Sequence, residues 1–184
     1  MRRIWIGILI ALLLPGLTGC SLNGESVQTD YQPGETVSTY WLDFTLDEVT
    51  SVEKYNGYQP DQAHRLVVCR LTVENTFDEE ISMAQTDFFL LWEDPEREQE
   101  EDDSEPDLSE MVGTYALPCF SDSQLEDSYQ LAKGEQRSGD LVFEVPTEVT
   151  YSALIFEEYY VDEESELGYS VGDHYTVWFS LEEG

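Results

Sequence analysis

The chain has 184 residues, with 40 acidic and 8 basic side chains and a formal net charge of −32 at pH 7. Its length favours a single domain with a hydrophobic core. The charge excludes binding to nucleic acids and to anionic lipid headgroups, because both kinds of binding depend on clusters of Lys and Arg. We therefore expect one folded, acidic domain whose partners are cationic or neutral.

The first twenty residues resemble a bacterial lipoprotein signal. Arg2 and Arg3 precede an apolar run, residues 4–14, that is too short to span a bilayer as a helix. Residues 17–20, LTGC, resemble a lipobox, in which the cysteine receives the lipid. The sequence therefore predicts a cleaved signal peptide at 1–19, a lipidated Cys20, and a lipid-anchored protein on the extracytoplasmic face of the cell membrane. The alternative is an ordinary secretory signal that contains a chance cysteine.

The next segment, residues 20–39, predicts a flexible tether. Residues 21–39 are polar, they include Gly24 and the Pro33-Gly34 pair, and they show neither helical nor strand periodicity. We therefore place the folded domain at 40–184.

Alternation of apolar and polar residues predicts the strands of this domain. The predicted inner face of the first strand consists of Tyr40, Leu42, Phe44 and Leu46. The clearest run is 64–75, and its predicted inner face consists of Val67, Cys69, Leu71 and Val73. Further strands are predicted at 87–92, 114–120, 141–145, 151–160 and 174–181, with Val142 pointing outward. About seven or more short strands without a helical period predict an all-β, antiparallel sandwich.

An acidic insertion at 93–110 interrupts the strands. It contains eleven carboxylates and two prolines, so the sequence predicts a solvated loop. Its hard oxygen ligands at short spacing are Asp102, Asp103, Glu105 and Asp107, although their order is not that of an EF-hand. Calcium is therefore the one candidate cofactor, and a cation-binding lipoprotein is one alternative function.

Several stretches together resemble one family, the immunoglobulin-like domains of small surface lipoproteins from Gram-positive bacteria, which are related in fold to a secreted mycobacterial immunogenic protein. These stretches are the lipobox, RLVVCRLTVENTFDEEIS at 65–82, the Asp87-Phe88 pair, the turn at 133–135, and GDLVFEVP at 139–146. The resemblance covers about 41–181. It implies an immunoglobulin-like sandwich and export, and it implies no catalytic residue.

Cysteine and histidine give no catalytic pattern. His64 and His174 are the only histidines, and the spacings of common nucleophile, metal and redox sites are missing from the sequence. We therefore predict no enzymatic activity, and an extracytoplasmic hydrolase is the less favoured alternative. Cys69 and Cys119 are a candidate disulfide, and the other interpretation is that Cys69 is a buried free thiol.

Binding is the function that remains. We predict a non-catalytic domain that binds a protein or a cell-wall component at the membrane surface. The aromatic residues expected closest to the binding surface are Trp41, Tyr55, Tyr58, Tyr160 and Trp178.

Overall fold

The computed structural model describes residues 29–94, 108–161 and 168–181. These ranges contain eleven strands: β1 (Asp30–Tyr31), β2 (Thr36–Ser38), β3 (Leu42–Val52), β4 (His64–Asn75), β5 (Ile81–Ala84), β6 (Phe88–Glu93), β7 (Met111–Tyr115), β8 (Ser128–Leu131), β9 (Gln136–Pro146), β10 (Tyr151–Val161) and β11 (Tyr169–Ser180). The same ranges contain two short 3₁₀ helices, Gln85–Asp87 and Leu108–Glu110, and no α-helix. Within this part of the chain, no helix has the length and apolarity required to cross a membrane.

The strands form a β-sandwich, as the sequence predicts. One sheet has five strands in the order β1-β11-β10-β6-β7, and the other has four in the order β2-β3-β4-β9. Strands β5 and β8 form a separate two-stranded sheet. All pairings are antiparallel except that of β1 with β11, which is parallel.

The core lies between the two large sheets. The predicted inner face of β4 is confirmed, because Val67, Cys69, Leu71 and Val73 are all fully buried. Aromatic rings from both sheets meet in this core, and the ring centroids of Phe44 and Phe88 lie 5.2 Å apart in an edge-to-face arrangement. A period of two residues places alternate side chains on opposite faces of a strand, so this face could be predicted from the sequence.

The outer face of the four-stranded sheet is also partly buried, which the sequence did not indicate. Leu66, Val68 and Val142 form a second apolar cluster, against which Val52, Tyr55 and Leu117 pack. Val142 points away from the main core, as predicted, but it is fully buried. The segments that cover it come from the β3–β4 connection and from the region after β7.

The predicted tether at 20–39 is wrong at its C-terminal end. Residues 30–31 and 36–38 form β1 and β2, and Tyr31 belongs to the main core. These strands are too short to show a period, and they are held by pairing with β11 and β3. The first strand therefore begins ten residues before the predicted boundary, at Asp30. Cys20 lies outside the described residues.

The other boundaries shift by a few residues. The insertion predicted at 93–110 is shorter, because Glu93 ends β6 and residues 108–110 form a 3₁₀ helix. The strand predicted at 114–120 is displaced to Met111–Tyr115, which leaves Pro118 outside any strand. Tyr40 was predicted on the inner face of the first strand, but it precedes β3 and is 59% exposed.

Cys69 and Cys119 are free thiols, so the candidate disulfide is not formed. Cys69 lies on the inner face of β4, whereas the segment that carries Cys119 runs along the far edge of β9, where the Leu117 N–H donates to the Val142 carbonyl at 2.7 Å. One inter-strand spacing separates β4 from β9, and a second separates β9 from the segment that carries Cys119. Together these two spacings, of about 4.8 Å apiece, exceed the distance of about 7 Å that a disulfide allows between Cα atoms. Burial raises the pKa of the Cys69 thiol, which makes it unreactive.

Asn75, at the end of β4, is fully buried and hydrogen-bonded at every polar group. Its backbone N–H and C=O bond to the turn at 133–135, at 3.0 and 2.8 Å. Its side-chain Oδ1 accepts from the Phe77 N–H at 2.9 Å, and its Nδ2 donates to the carbonyls of Glu79 and Leu131, each at 2.8 Å. Asn75 therefore holds together two turns and the end of β8.

We expect Asn75→Ala to lower the free energy of unfolding by about 2 kcal/mol, because the buried Leu131 carbonyl loses its partner on the Asn75 side chain, which costs about 1–3 kcal/mol. The Glu79 carbonyl and the Phe77 N–H each lose one further hydrogen bond, although the Phe77 N–H keeps its bond to the Trp41 carbonyl. Urea denaturation of the purified protein measures the change. Thr76→Ala, at the exposed neighbouring position, is the control and should change stability by less than about 0.5 kcal/mol. Equal unfolding midpoints for the two variants would show that Asn75 does not have this role.

Candidate functional site

The five aromatic residues predicted for partner binding lie in three separate places, so they do not form one surface. Trp41 and Tyr160 meet at one end of the sandwich, with ring centroids 5.8 Å apart. Tyr55 and Tyr58 lie over the outer face of the four-stranded sheet, beside Asp140 and Glu144 on β9. Trp178 lies on the outer face of the five-stranded sheet, where it is paired with Ala153 on β10.

The first group is larger than the sequence suggested. Tyr40 and Phe77 join Trp41 and Tyr160, and we call these four residues the end cluster. The Trp41 ring lies 4.8 Å from that of Tyr40 and 4.7 Å from that of Phe77, both edge-to-face. The Tyr40 ring also lies 5.8 Å from the Tyr160 ring, so the cluster connects the two sheets.

The register of β3 and β4 brings two of these residues together. Leu42 pairs with Asn75, so the residue before Leu42 lies close to the turn that follows Asn75. The Phe77 N–H donates to the Trp41 carbonyl at 3.1 Å, and the same N–H bonds to Asn75 Oδ1. The buried asparagine therefore places Phe77 against Trp41.

A glycine on β11 makes room for Tyr160. The pairing of β10 with β11 shifts register between Glu157 and Tyr159, and Gly172 lies in the irregular part of β11. A Cβ at position 172 would be 2.2 Å from Cε2 of Tyr160, so the ring lies directly on the glycine backbone. Any side chain at this position would displace the ring from the end cluster.

Beneath the end cluster lies a buried carboxylate. Glu158 is only 2% exposed. Its Oε1 accepts from the Tyr40 N–H at 2.5 Å, and its Oε2 accepts from the Tyr160 hydroxyl. These hydrogen bonds offset part of the cost of removing a carboxylate from water. None of the ion pairs among the described residues involves Glu158.

The tyrosines around Glu158 have raised pKa values. Burial is the largest cause for both Tyr160 and Tyr175, and the nearby charge of Glu158 adds to it, as does that of Asp173. The pKa of Tyr175 rises from 10.0 to about 12. The groups that act on these phenols are acids and other phenols, so this end of the domain favours positive charge. Aromatic faces attract cations for the same electrostatic reason.

The second group has a structural role that is visible in its contacts. The Tyr55 hydroxyl donates to Asp140 at 2.7 Å, and the Tyr58 hydroxyl donates to Glu144 at 2.6 Å. Both rings lie near Phe120, at 5.8 and 5.7 Å between centroids. This group covers the outer apolar cluster of the four-stranded sheet.

The third group fixes the first strand. Trp178 stacks on Tyr151 with centroids 5.5 Å apart and an angle of 6° between the rings. Its Nε1 donates to Asp30 at 2.8 Å, which ties β1 to the sheet. Of the three groups, only the end cluster combines an exposed ring, that of Tyr40, and three partly buried rings with a buried carboxylate.

The structure does not describe the predicted metal ligands. Asp102, Asp103, Glu105 and Asp107 lie outside the described residues. In residues 29–94, 108–161 and 168–181, no three side chains of His, Cys, Asp or Glu come together as metal ligands.

Three important residues were missed by the sequence analysis: Tyr40, Phe77 and Glu158. Alternation placed Tyr40 inside, and Phe77 belongs to a turn that carries no periodic signal. Glu158 is one of 40 acidic residues, so nothing in the sequence distinguishes it. The adjacent aromatic pair Tyr40-Trp41 was the one available signal, because both cannot face the same core.

A family model described as "Domain of unknown function (DUF4352)" matches residues 31–165. The chain is similar in fold to a "putative lipoprotein (ycdA)" from Bacillus subtilis subsp. subtilis str. 168, with 14% identity and a TM-score of 0.52. That match covers 79% of this chain and 38% of the other, so this chain spans under two fifths of the length of that protein. No curated protein sequence matches the chain.

Two further solved structures are similar at lower scores. The yjhA protein from Bacillus subtilis has 17% identity and a TM-score of 0.44, and the match covers 68% of this chain and 79% of that one. An uncharacterized β-sandwich protein from Clostridium difficile 630 has 9% identity and a TM-score of 0.43, and the match covers 82% of this chain and 93% of that one.

We expect Glu158→Gln to lower the pKa of Tyr160 and of Tyr175, because the variant removes a negative charge beside both phenols. Alkaline titration of ¹³C-tyrosine-labelled protein, followed by NMR, resolves the individual residues. Glu157→Gln is the matched control, since Glu157 accepts from the Tyr159 hydroxyl and should change the pKa of Tyr159 instead.

The raised pKa of Tyr175 also predicts how the free energy of unfolding changes at alkaline pH. A folded pKa raised from 10.0 to about 12 means that the fold favours the protonated phenol of Tyr175. Its contribution to stability is complete below pH 10 and is lost as the pH rises through 12. Unchanged pKa values of both phenols in Glu158→Gln would contradict the proposed electrostatics.

Proposed function

The chain belongs to the DUF4352 family, and on that premise we propose that it is a lipid-anchored extracytoplasmic protein whose immunoglobulin-like domain binds a protein or cell-wall partner without catalysing a reaction. The LTGC motif that ends at Cys20 supports the anchor. Two acyl chains bury enough methylene groups to hold a protein stably at a membrane, at about 0.8 kcal/mol for each group. The fold similarity to the ycdA protein is consistent with this proposal.

The end cluster is the proposed binding site, and it recognises an exposed ammonium group on the partner. The observation that carries this assignment is Glu158, a buried carboxylate that lies under aromatic rings and forms no ion pair with a described residue. A cation seated on the rings of Tyr40 and Trp41 gains the attraction of the aromatic faces and of the carboxylate beneath them.

The net negative charge of the whole chain also favours a cationic partner, and it acts at longer range than the end cluster. The basic side chains of the described residues are few, and several of them are already paired: Arg70 with Asp140, Lys133 with Asp78, and Arg137 with Glu126 and Glu135. The net charge of −32 therefore remains largely uncompensated. Such a field attracts cationic partners and accelerates their association.

We expect Cys20→Ser to release the full-length chain into the medium or to leave its signal peptide uncleaved. The reason is that the serine hydroxyl replaces the thiol to which the lipid is attached. Membrane fractionation and intact mass measurement detect both results. Cys119→Ser is the control and should behave like the wild type. A Cys20→Ser protein that is processed normally and stays in the membrane fraction would exclude the lipid anchor.

We expect Trp41→Ala to weaken binding of tetramethylammonium, used as a probe, by about fivefold to tenfold, the equivalent of about 1 kcal/mol for one cation–aromatic contact. NMR titration of the purified protein measures the affinity. Trp178→Ala is the matched control, because Trp178 stacks on Tyr151 and takes no part in the end cluster.

A neutral probe of the same shape, tert-butanol, separates charge from apolar contact and should bind more weakly than tetramethylammonium. Equal affinities of Trp41→Ala and Trp178→Ala for the cation would remove the end cluster from consideration. Turnover of a wall or peptide substrate by the purified protein would overturn the non-catalytic assignment.

A further inference from the structure

Strand β7 lies at the edge of the five-stranded sheet, and none of the described strands pairs with its outer side. Its sequence, MVGTY, contains no charged residue and no proline, and its pairing with β6 runs without a register shift. Natural sheets usually protect an edge with lysine, proline, a bulge or a covering segment, because free backbone N–H and C=O groups pair readily with another strand. Strand β7 has none of the first three.

The other edge strands of the two large sheets are either covered or shorter than β7. The edge of β9 is covered by residues 117–125, which form backbone hydrogen bonds with Asp140 and Val142. The edges at β1 and β2 are only two and three residues long. In the part of the chain that the structure describes, no backbone hydrogen bond joins β7 to any strand except β6. Parts of β3 and β11 extend beyond their short neighbours, but each of these two strands carries charged residues and has a register shift in its pairing. Among the described sheet edges without a covering strand, β7 is therefore distinguished by its lack of charge and its regular pairing.

The side of the sandwich beside β7 also leaves apolar side chains exposed on the described surface. Val112 pairs with Trp92 and so points toward the space between the sheets, yet it is 39% exposed. The Trp92 indole N–H is buried and has no hydrogen-bond partner among the described residues. On the outer face, Tyr115 is 59% exposed, with its ring 6.1 Å from that of Phe89. These side chains offer an added strand apolar contacts on both faces.

We propose that an extended, cationic segment of a partner protein adds to β7 as a further strand of this sheet. Backbone hydrogen bonds supply affinity in such strand addition, and alternate side chains supply specificity. Charge decides the chemistry of the partner. Glu93 pairs with Met111, so it places a carboxylate at one end of β7. Lysine or arginine fits that end, and apolar residues fit the end at Tyr115.

A second copy of this chain fits the edge poorly. Pairing β7 with itself would bring together two chains, each with a formal charge of −32, and like charges oppose association. The β7 edge is separate from the end cluster, since the end cluster is built on β3, β10 and the turn after β4. The two proposals can therefore fail independently.

The test uses the full-length chain and a synthetic eight-residue peptide, in which two lysines precede alternating threonine and valine. Hydrogen exchange measured by mass spectrometry should show slower exchange within Met111–Tyr115 when the peptide is added. The same peptide with N-methylated threonines keeps its charge but cannot donate those hydrogen bonds. It should bind roughly tenfold more weakly, the effect of one or two lost hydrogen bonds.

Two variants that each add one positive charge test whether the peptide binds at β7. Val112→Lys places a cation on the edge and should abolish the protection by the peptide. Val171→Lys, at a position that is 58% exposed on β11, should not alter it. Trp41→Ala should also leave the protection unchanged, which separates this edge from the end cluster.

Other results would overturn strand addition at β7. Equal protection by the N-methylated peptide would mean that charge alone drives binding, and protection at other residues or at none would mean that the edge is not a site. Exchange already slow in the free protein at low concentration would identify residues 95–107 as the occupant. Protection that appears only at high protein concentration, together with a dimer in sedimentation, would identify a second copy.

Discussion

The hydrogen bonds of Asn75 are the constraint on which the end cluster depends. A buried amide must satisfy its polar atoms internally, because water is not available to replace a missing partner. Asn75 does so with the turns on either side and with the end of β8. As a result, the chain leaves β4 in one direction, and Phe77 is placed against Trp41. The end cluster is therefore a consequence of how one strand terminates.

The scarcity of basic side chains explains both the acidity of the chain and the way in which the end cluster holds Glu158. A protein with so few cations cannot neutralise its carboxylates internally, so most of them remain in water and Glu158 is instead held by hydroxyl and backbone donors. Burial and the surrounding carboxylates raise the tyrosine pKa values around it. Positive charge is what this environment lacks. A cationic partner would supply it at the end cluster, and a cationic strand would supply it again at β7.

The two sheets close differently along their sides. Residues 117–125 leave the five-stranded sheet after β7 and run along β9, so they complete the edge of the four-stranded sheet while leaving β7 uncovered by described residues. The same segment packs Leu117, which is partly buried, against the outer apolar cluster and keeps Cys119 away from Cys69. The path of residues 117–125 therefore explains why the edge of β9 is covered, why these residues leave the edge of β7 open, and why the two cysteines stay apart.

The sequence by itself determined the all-β class, the inner face of β4 and the acidic character of the domain, because these depend on local alternation and on composition. Only the tertiary structure decided which aromatic residues meet, since Trp41, Phe77 and Tyr160 come from distant parts of the chain. The burial of Val142, the pairing of β1 with β11 and the role of Glu158 were decided there too. A residue's neighbours across a sandwich depend on strand order and register, and neither leaves a periodic signal in the sequence.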